Sequence, residues 1–191
     1  METRNNKRTA IFLGTFGVLS VLCGYSFCSE PCRSGLQTGQ RPGPYSAVIV
    51  TGPQRGQSYC YICETADCPA VVVFARTLSE PLGKLVRELD RSAAEHQAAK
   101  LRAWVTLLGY DQAGQDAKVV RWAQQHAIRN VPIGIFEDAG GPPSYRLARD
   151  ADVTILLFVR RQVVCNFAFR SDELAGRHID EVVKALTSIV R

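Results

Sequence analysis

Apolar positions along the chain change their period in a repeating order. Ala70 to Arg76 carries Val71, Val72, Val73, Phe74 and Ala75 without interruption, the pattern of a strand covered on both faces. Leu82, Leu85, Val86 and Leu89 then return at helical spacing, behind Ser79 as an N-cap and Pro81 in the first turn. The spacing predicts a central strand and a helix over Glu80 to Ala99. The alternation continues with a strand over Leu101 to Leu108, a helix over Ala117 to Ala127 and a strand over Val131 to Phe136. Strands separated by helices imply parallel pairing.

Upstream, Ala47 to Thr51 and Ser58 to Glu64 read as a β-hairpin around Gly52 to Gly56. Downstream, Ser144 to Arg149 suits a helical turn, and Val153 to Val159 and Val163 to Arg170 read as an antiparallel hairpin closed at Arg160 to Gln162. Ile179, Val182, Val183, Leu186 and Ile189 then form the apolar stripe of a last helix that packs on that hairpin's sheet. The expected class is α/β: a central mixed sheet flanked by helices, with an N-terminal β-hairpin extension.

The first 28 residues follow a different logic. Arg4, Lys7 and Arg8 precede Thr9 to Phe27, which holds no charge and carries Ile11, Phe12, Leu13, Phe16, Val18, Leu19, Val21 and Leu22. That is the order of an export signal, or of an N-terminal membrane anchor where cleavage fails. Tyr25, Phe27 and Cys28 crowd the cleavage region, and Leu22 before Cys23 is too large for a lipoprotein signal. Ser29 to Tyr45 is rich in Gly, Pro and Ser and reads as a flexible linker, leaving 46–191 as the folded domain. The expectation is an exported protein, periplasmic or otherwise extracytoplasmic, secreted or held by residues 9–27; the linker speaks against a cytosolic chain with a buried N-terminal helix.

With 191 residues and 46% hydrophobic content, the chain suits one domain with a real core. A net charge of +5, with Lys and Arg scattered, leaves no nucleic-acid footprint. No Gly-rich phosphate loop occurs, so no cofactor is implied. His96, His126 and His178 lie apart on predicted helices without acidic or thiol partners at ligand spacing, which suits solvated positions. Trp104, Trp122 and Tyr110 are expected in the core. Arg87, Glu88, Asp90, Arg91 and Glu95 alternate in sign and suggest a solvated helix face.

Ala70 to Lys84 (AVVVFARTLSEPLGK) resembles the first core strand and helix start of thioredoxins, and Val153 to Val164 (VTILLFVRRQVV) resembles their C-terminal hairpin. The segment between, VPIGIFEDAGGPPSYRLARDADV, is similar to the extra strand and turn of TlpA-like reductases, redoxins and peroxiredoxins. The resemblance covers residues 46 to 190 and implies a thioredoxin-like domain acting on protein or peptide thiols and disulfides, or docking a protein partner. Its usual Cys-x-x-Cys position reads Ser79-Glu80-Pro81-Leu82, and Val153 stands where the family has its cis-proline. Ser79, Leu82 and Val153 therefore mark a degenerate family site. No cysteine between Cys68 and Cys165 could supply a peroxiredoxin thiol.

The chemistry that remains is Cys60-Tyr61-Ile62-Cys63 with Cys68 five residues on. As a displaced dithiol site it would use Cys60 and Cys63, with Cys68 as a resolving thiol. Cysteines three apart in a strand lie roughly 10 Å apart, too far for a disulfide, so that pairing demands a turn. Tyr59, Tyr61 and Ile62 favour a strand instead, which would bring Cys63 near Cys68 as a structural staple. Metal binding by these three and Cys165 is a further alternative, although the spacing is not that of a zinc site. Two functions stay open: a thiol-disulfide oxidoreductase with a non-standard site, and a redox-inactive thioredoxin-fold binding or structural module.

Overall fold

The computed structural model describes residues 30–190. The export segment expected in residues 1–28 lies outside them. Among the described residues no helix is long and apolar enough to cross a membrane.

Seven strands form one sheet. In chain order the elements are β1 (Ala47–Thr51), β2 (Ser58–Tyr59), α1 (Tyr61–Glu64), β3 (Ala70–Ala75), α2 (Glu80–Glu95), β4 (Arg102–Leu108), α3 (Gln112–Gln125), β5 (Ile133–Phe136), β6 (Val153–Val159), β7 (Gln162–Phe169) and α4 (Gly176–Ile189). The sheet order is β2-β1-β5-β4-β3-β6-β7. β3, β4 and β5 run parallel, and β1, β6 and β7 pair antiparallel to their neighbours. β3 sits between β4 and β6, and all six of its side chains are buried, as its unbroken apolar run requires.

The two sheet faces are covered by different means. Val71, Val73 and Ala75 of β3 face a core shared with Leu82, Leu85 and Leu89 of α2, Val119 and Trp122 of α3, and Val182 and Leu186 of α4. Ala70, Val72 and Phe74 face a second core with Trp104, Leu156, Phe158, Tyr145 and Leu36. Period-two alternation along β3 thus feeds two separate cores.

The stretch expected as a flexible linker helps build that second core. Leu36 is buried, Ser34 bonds the Thr154 hydroxyl at 2.7 Å, and Asn166 donates from Nδ2 to the carbonyls of Ser34 and Leu36. Tyr45 sits edge-on to Tyr145. Its hydroxyl accepts the Trp104 indole N–H at 2.9 Å and bonds Thr106 at 2.7 Å, and its burial raises the phenol's pKa far above the usual value. Residues 34–45 therefore form a strap rather than a tether. Polar and Gly/Pro-rich composition misled because, beside a local turn at Gln37 to Gln40, the strap fills its hydrogen bonds with β6, β7 and the 145–148 segment, partners far away in sequence. Tyr45→Phe would leave the Trp104 N–H without its acceptor. The expected cost is about 1–2 kcal/mol, read as a lower urea midpoint.

Several element limits differ from the periodicity. α2 stops at Glu95 and a 3₁₀ turn, Gln97–Ala99, completes the segment expected as helix to Ala99. α3 runs Gln112–Gln125 rather than Ala117 to Ala127; it starts five residues early because the Asp111 carboxylate accepts the Gly114 N–H at 2.8 Å and caps it. Tyr110 is 76% exposed rather than core, since it follows β4 in the loop before that cap. His126 is not solvated: its ring packs on Trp122 and its Nε2 lies 3.5 Å from a Glu80 oxygen. Asp90 also leaves the charged face it was expected to share and is 7% exposed.

Candidate functional site

Ser58 to Glu64 is not a continuous strand. β2 ends after Tyr59, and Tyr61–Glu64 closes one helical turn with Cys60 as its extended N-cap. Burial of Ile62 in the second core decides this, since strand geometry would turn neighbouring side chains to opposite sides. The turn draws the Cα atoms of Cys60 and Cys63 to 5.5 Å, and the two are joined by a disulfide. The alternative Cys63–Cys68 staple does not form, and Cys68 carries a free, half-buried thiol. Among the described residues no cluster suited to a metal ion occurs, so Cys60, Cys63, Cys68 and Cys165 are not gathered into one. Cys165 lies on β7 beside the helix-covered core.

The two cysteines meet solvent unequally. Cys60 is half-buried against the second core, whereas Cys63 is exposed. Tyr61 between them stacks on Trp104 with ring centroids 5.6 Å apart, and Tyr59 meets Tyr61 edge-on at 4.8 Å. The Tyr61 hydroxyl donates to Gln54 at 3.0 Å, and burial first, then the nearby Tyr59 and Glu64, push its pKa to about 12. The Tyr59 hydroxyl donates to the Glu64 carboxylate, which raises its pKa. Arg161, in the β6–β7 turn, donates from Nη2 to the Cys63 carbonyl at 3.2 Å.

The degenerate family site sits at the other end of β3. Ser79 caps α2 by accepting the Leu82 N–H at 3.3 Å, and the Leu82 side chain is fully buried. Val153 pairs with Ala75 and is 2% exposed, and among the described residues no peptide bond is cis. Thr77, Ser79, Pro81, Asp152 and Leu174 line a cavity of about 150 Å³ there, with Thr77 donating to Asp152 at 2.8 Å. Cysteine pair and degenerate site are thus separated by the length of β3, five residue steps at about 3.3 Å each, or roughly 17 Å.

No family model matches the sequence, and no curated protein matches it either. Solved structures do. The chain is similar to a candidate protein disulfide isomerase from Bacteroides thetaiotaomicron at 14% identity and a TM-score of 0.62, covering 82% of this chain and 92% of that one. It is similar at 11% identity and a TM-score of 0.62 to a candidate thiol:disulfide interchange protein, DsbE, from Chlorobium tepidum, covering 82% and 99%. The bacterioferritin comigratory protein of Xanthomonas campestris, studied for alkyl peroxide reduction, is similar at 13% identity and a TM-score of 0.52 over 77% and 92%. The fold is thioredoxin-like. In this thioredoxin-like domain the strand-to-helix junction that the resemblance singles out, β3 into α2, holds serine and leucine, and the Cys-x-x-Cys stands before β3 instead of after it. The sequence located the pair but not its turn, because the deciding signal, Ile62 reaching the core, is tertiary.

Proposed function

We propose that this domain exchanges disulfides with polypeptide thiols through Cys60 and Cys63, outside the cytoplasm. The observation that carries the reading is the Cys60–Cys63 disulfide closed across a single turn, with Cys63 its exposed residue. A substrate thiolate attacks Cys63 Sγ in line with the S–S bond, the Cys60 sulfur leaves as a thiolate, and a mixed disulfide forms. A second substrate thiolate attacks the substrate sulfur of that mixed disulfide and releases Cys63 as a thiolate. Two electrons have then passed from a substrate dithiol to the pair, and the substrate carries the new disulfide. In reverse, Cys63 opens a substrate disulfide and Cys60 resolves the mixed species. Cys68, free on the same loop, serves as an alternative resolving thiol. The extracytoplasmic setting is supported by the basic residues and uncharged run at the N-terminus and by a disulfide stable in an oxidising compartment.

Cys60→Ser and Cys63→Ser should each abolish exchange with a dithiol peptide while the circular dichroism spectrum stays native. Losing so short a covalent loop should cost about 2 kcal/mol by the chain-entropy relation, well short of unfolding. Exchange retained in both variants would remove the proposal. The cavity beside Ser79 favours a second reading, a module that docks a partner there without turnover. A pull-down partner lost with Glu80→Lys but kept with Cys63→Ser would select it. Val153, being buried, offers no side-chain probe.

A further inference from the structure

The turn joining β6 to β7 is built against the backbone preference of its residues. Arg160 and Arg161 both adopt the left-handed region, at φ 52° and 56°, positions that two-residue hairpin turns give to Asn or Gly. Lys100, just before β4, does the same at φ 54°. Side chains with a Cβ are disfavoured there, and such strain concentrates where a site needs a particular group.

Sheet register places these cations together. Ala70, the first residue of β3, pairs with Arg102 on one side and with Phe158 on the other. Phe158 and Val159 pair with Val163 and Gln162, so the Arg160–Arg161 turn projects beyond the same end of the sheet as Arg102 and Lys100. That end carries the Cys60–Cys63 turn, to which Arg161 is bonded through the Cys63 carbonyl. All four cations are exposed. Against them stand Glu64, whose carboxylate already accepts the Tyr59 hydroxyl, and Asp67.

Resting on the exchange reading above, we infer that the partner thiol of Cys63 is a cysteine flanked by acidic residues, received by the cationic rim of Arg160, Arg161, Arg102 and Lys100. The attacking thiolate and its neighbouring carboxylates are drawn to the rim, which raises their local concentration beside Cys63. Arginine at two strained positions is then explained by what the turn presents rather than by how it folds.

The test is the rate at which the intact oxidised domain forms mixed disulfide with three blocked peptides, Glu-Cys-Glu, Gln-Cys-Gln and Lys-Cys-Lys. Each rate is divided by the thiolate fraction at the working pH. In about 0.01 M salt the acidic peptide should outpace the basic one about tenfold, and in about 1 M salt, where the Debye length falls to about 3 Å, the ratio should approach one. The double variant Arg160→Asn/Arg161→Gly, with residues suited to the turn, should raise the melting temperature and shrink the low-salt ratio at least threefold. A ratio near one in the unmodified domain at low salt overturns the acidic-partner inference while leaving exchange standing. A disulfide that none of the three peptides opens overturns the exchange reading, and this inference with it.

Discussion

Replacing Asp90 by alanine should lower stability by about 3 kcal/mol, the largest loss expected from any single charged position. Its Oδ1 accepts the backbone N–H groups of Arg129, Asn130 and Val131 at 2.9, 2.6 and 2.8 Å, and its Oδ2 accepts the Asn130 side-chain amide at 3.0 Å. These donors lie on the segment between α3 and β5, so one carboxylate on α2 fixes the entry of β5. Alanine strands several partly buried donors at once, and each unsatisfied group costs on the order of 1–3 kcal/mol, partly relieved where water reaches it. For a domain of this size the melting temperature should fall by roughly 6–12 °C. Asp90→Asn keeps one oxygen acceptor and should lose about half as much. Equal melting points for wild type and Asp90→Ala would show that the segment is held by other contacts.

Gly35→Ala should release the strap. Gly35 has φ +82°, and a Cβ there would lie 2.7 Å from the Thr154 methyl and 3.3 Å from Leu156. Its N–H also donates to the Arg146 carbonyl at 3.1 Å, and the adjacent Ser34 accepts the Ala148 N–H at 3.0 Å. Backbone strain and overlap together should cost about 2–4 kcal/mol, because the clash falls on a buried β6 side chain whose hydroxyl is bonded to Ser34. Limited proteolysis should show cutting within 31–45 in the variant at protease levels that spare the wild type. A variant with unchanged urea midpoint and unchanged cleavage would mean that the strap adapts, and that the second core does not depend on its seating.

What the sequence disclosed follows from what periodicity can carry. β3, α2, β6 and α4 were legible because their apolar positions follow the period of their own backbone. Asp90 was not, since it sits among alternating charges and its partners lie about forty residues on. The strap was not, because Gly, Pro and Ser are read as loop whether or not a sheet face waits for them. Tyr59, Tyr61 and Ile62 have the composition of a strand, yet the chain turns after Tyr59 because Ile62 is drawn into the core. The cysteine pair and the emptied family site could both be named from the sequence, but that they occupy opposite ends of one strand required the fold.

The strap also sets an order of events. Ser34 meets Thr154 at a separation of 120 residues, and Asn166 reaches back to Leu36 across 130. Contacts so distant in sequence form slowly, because the loop must close before they repay its entropy. Among the first residues of the domain to leave the ribosome, the strap thus waits for strands made near the end. Until β6 and β7 arrive, Leu36 and Ser34 lack the partners that seat them, and β3 keeps one edge unpaired, so a half-made chain presents an open strand edge to whatever chaperone holds it.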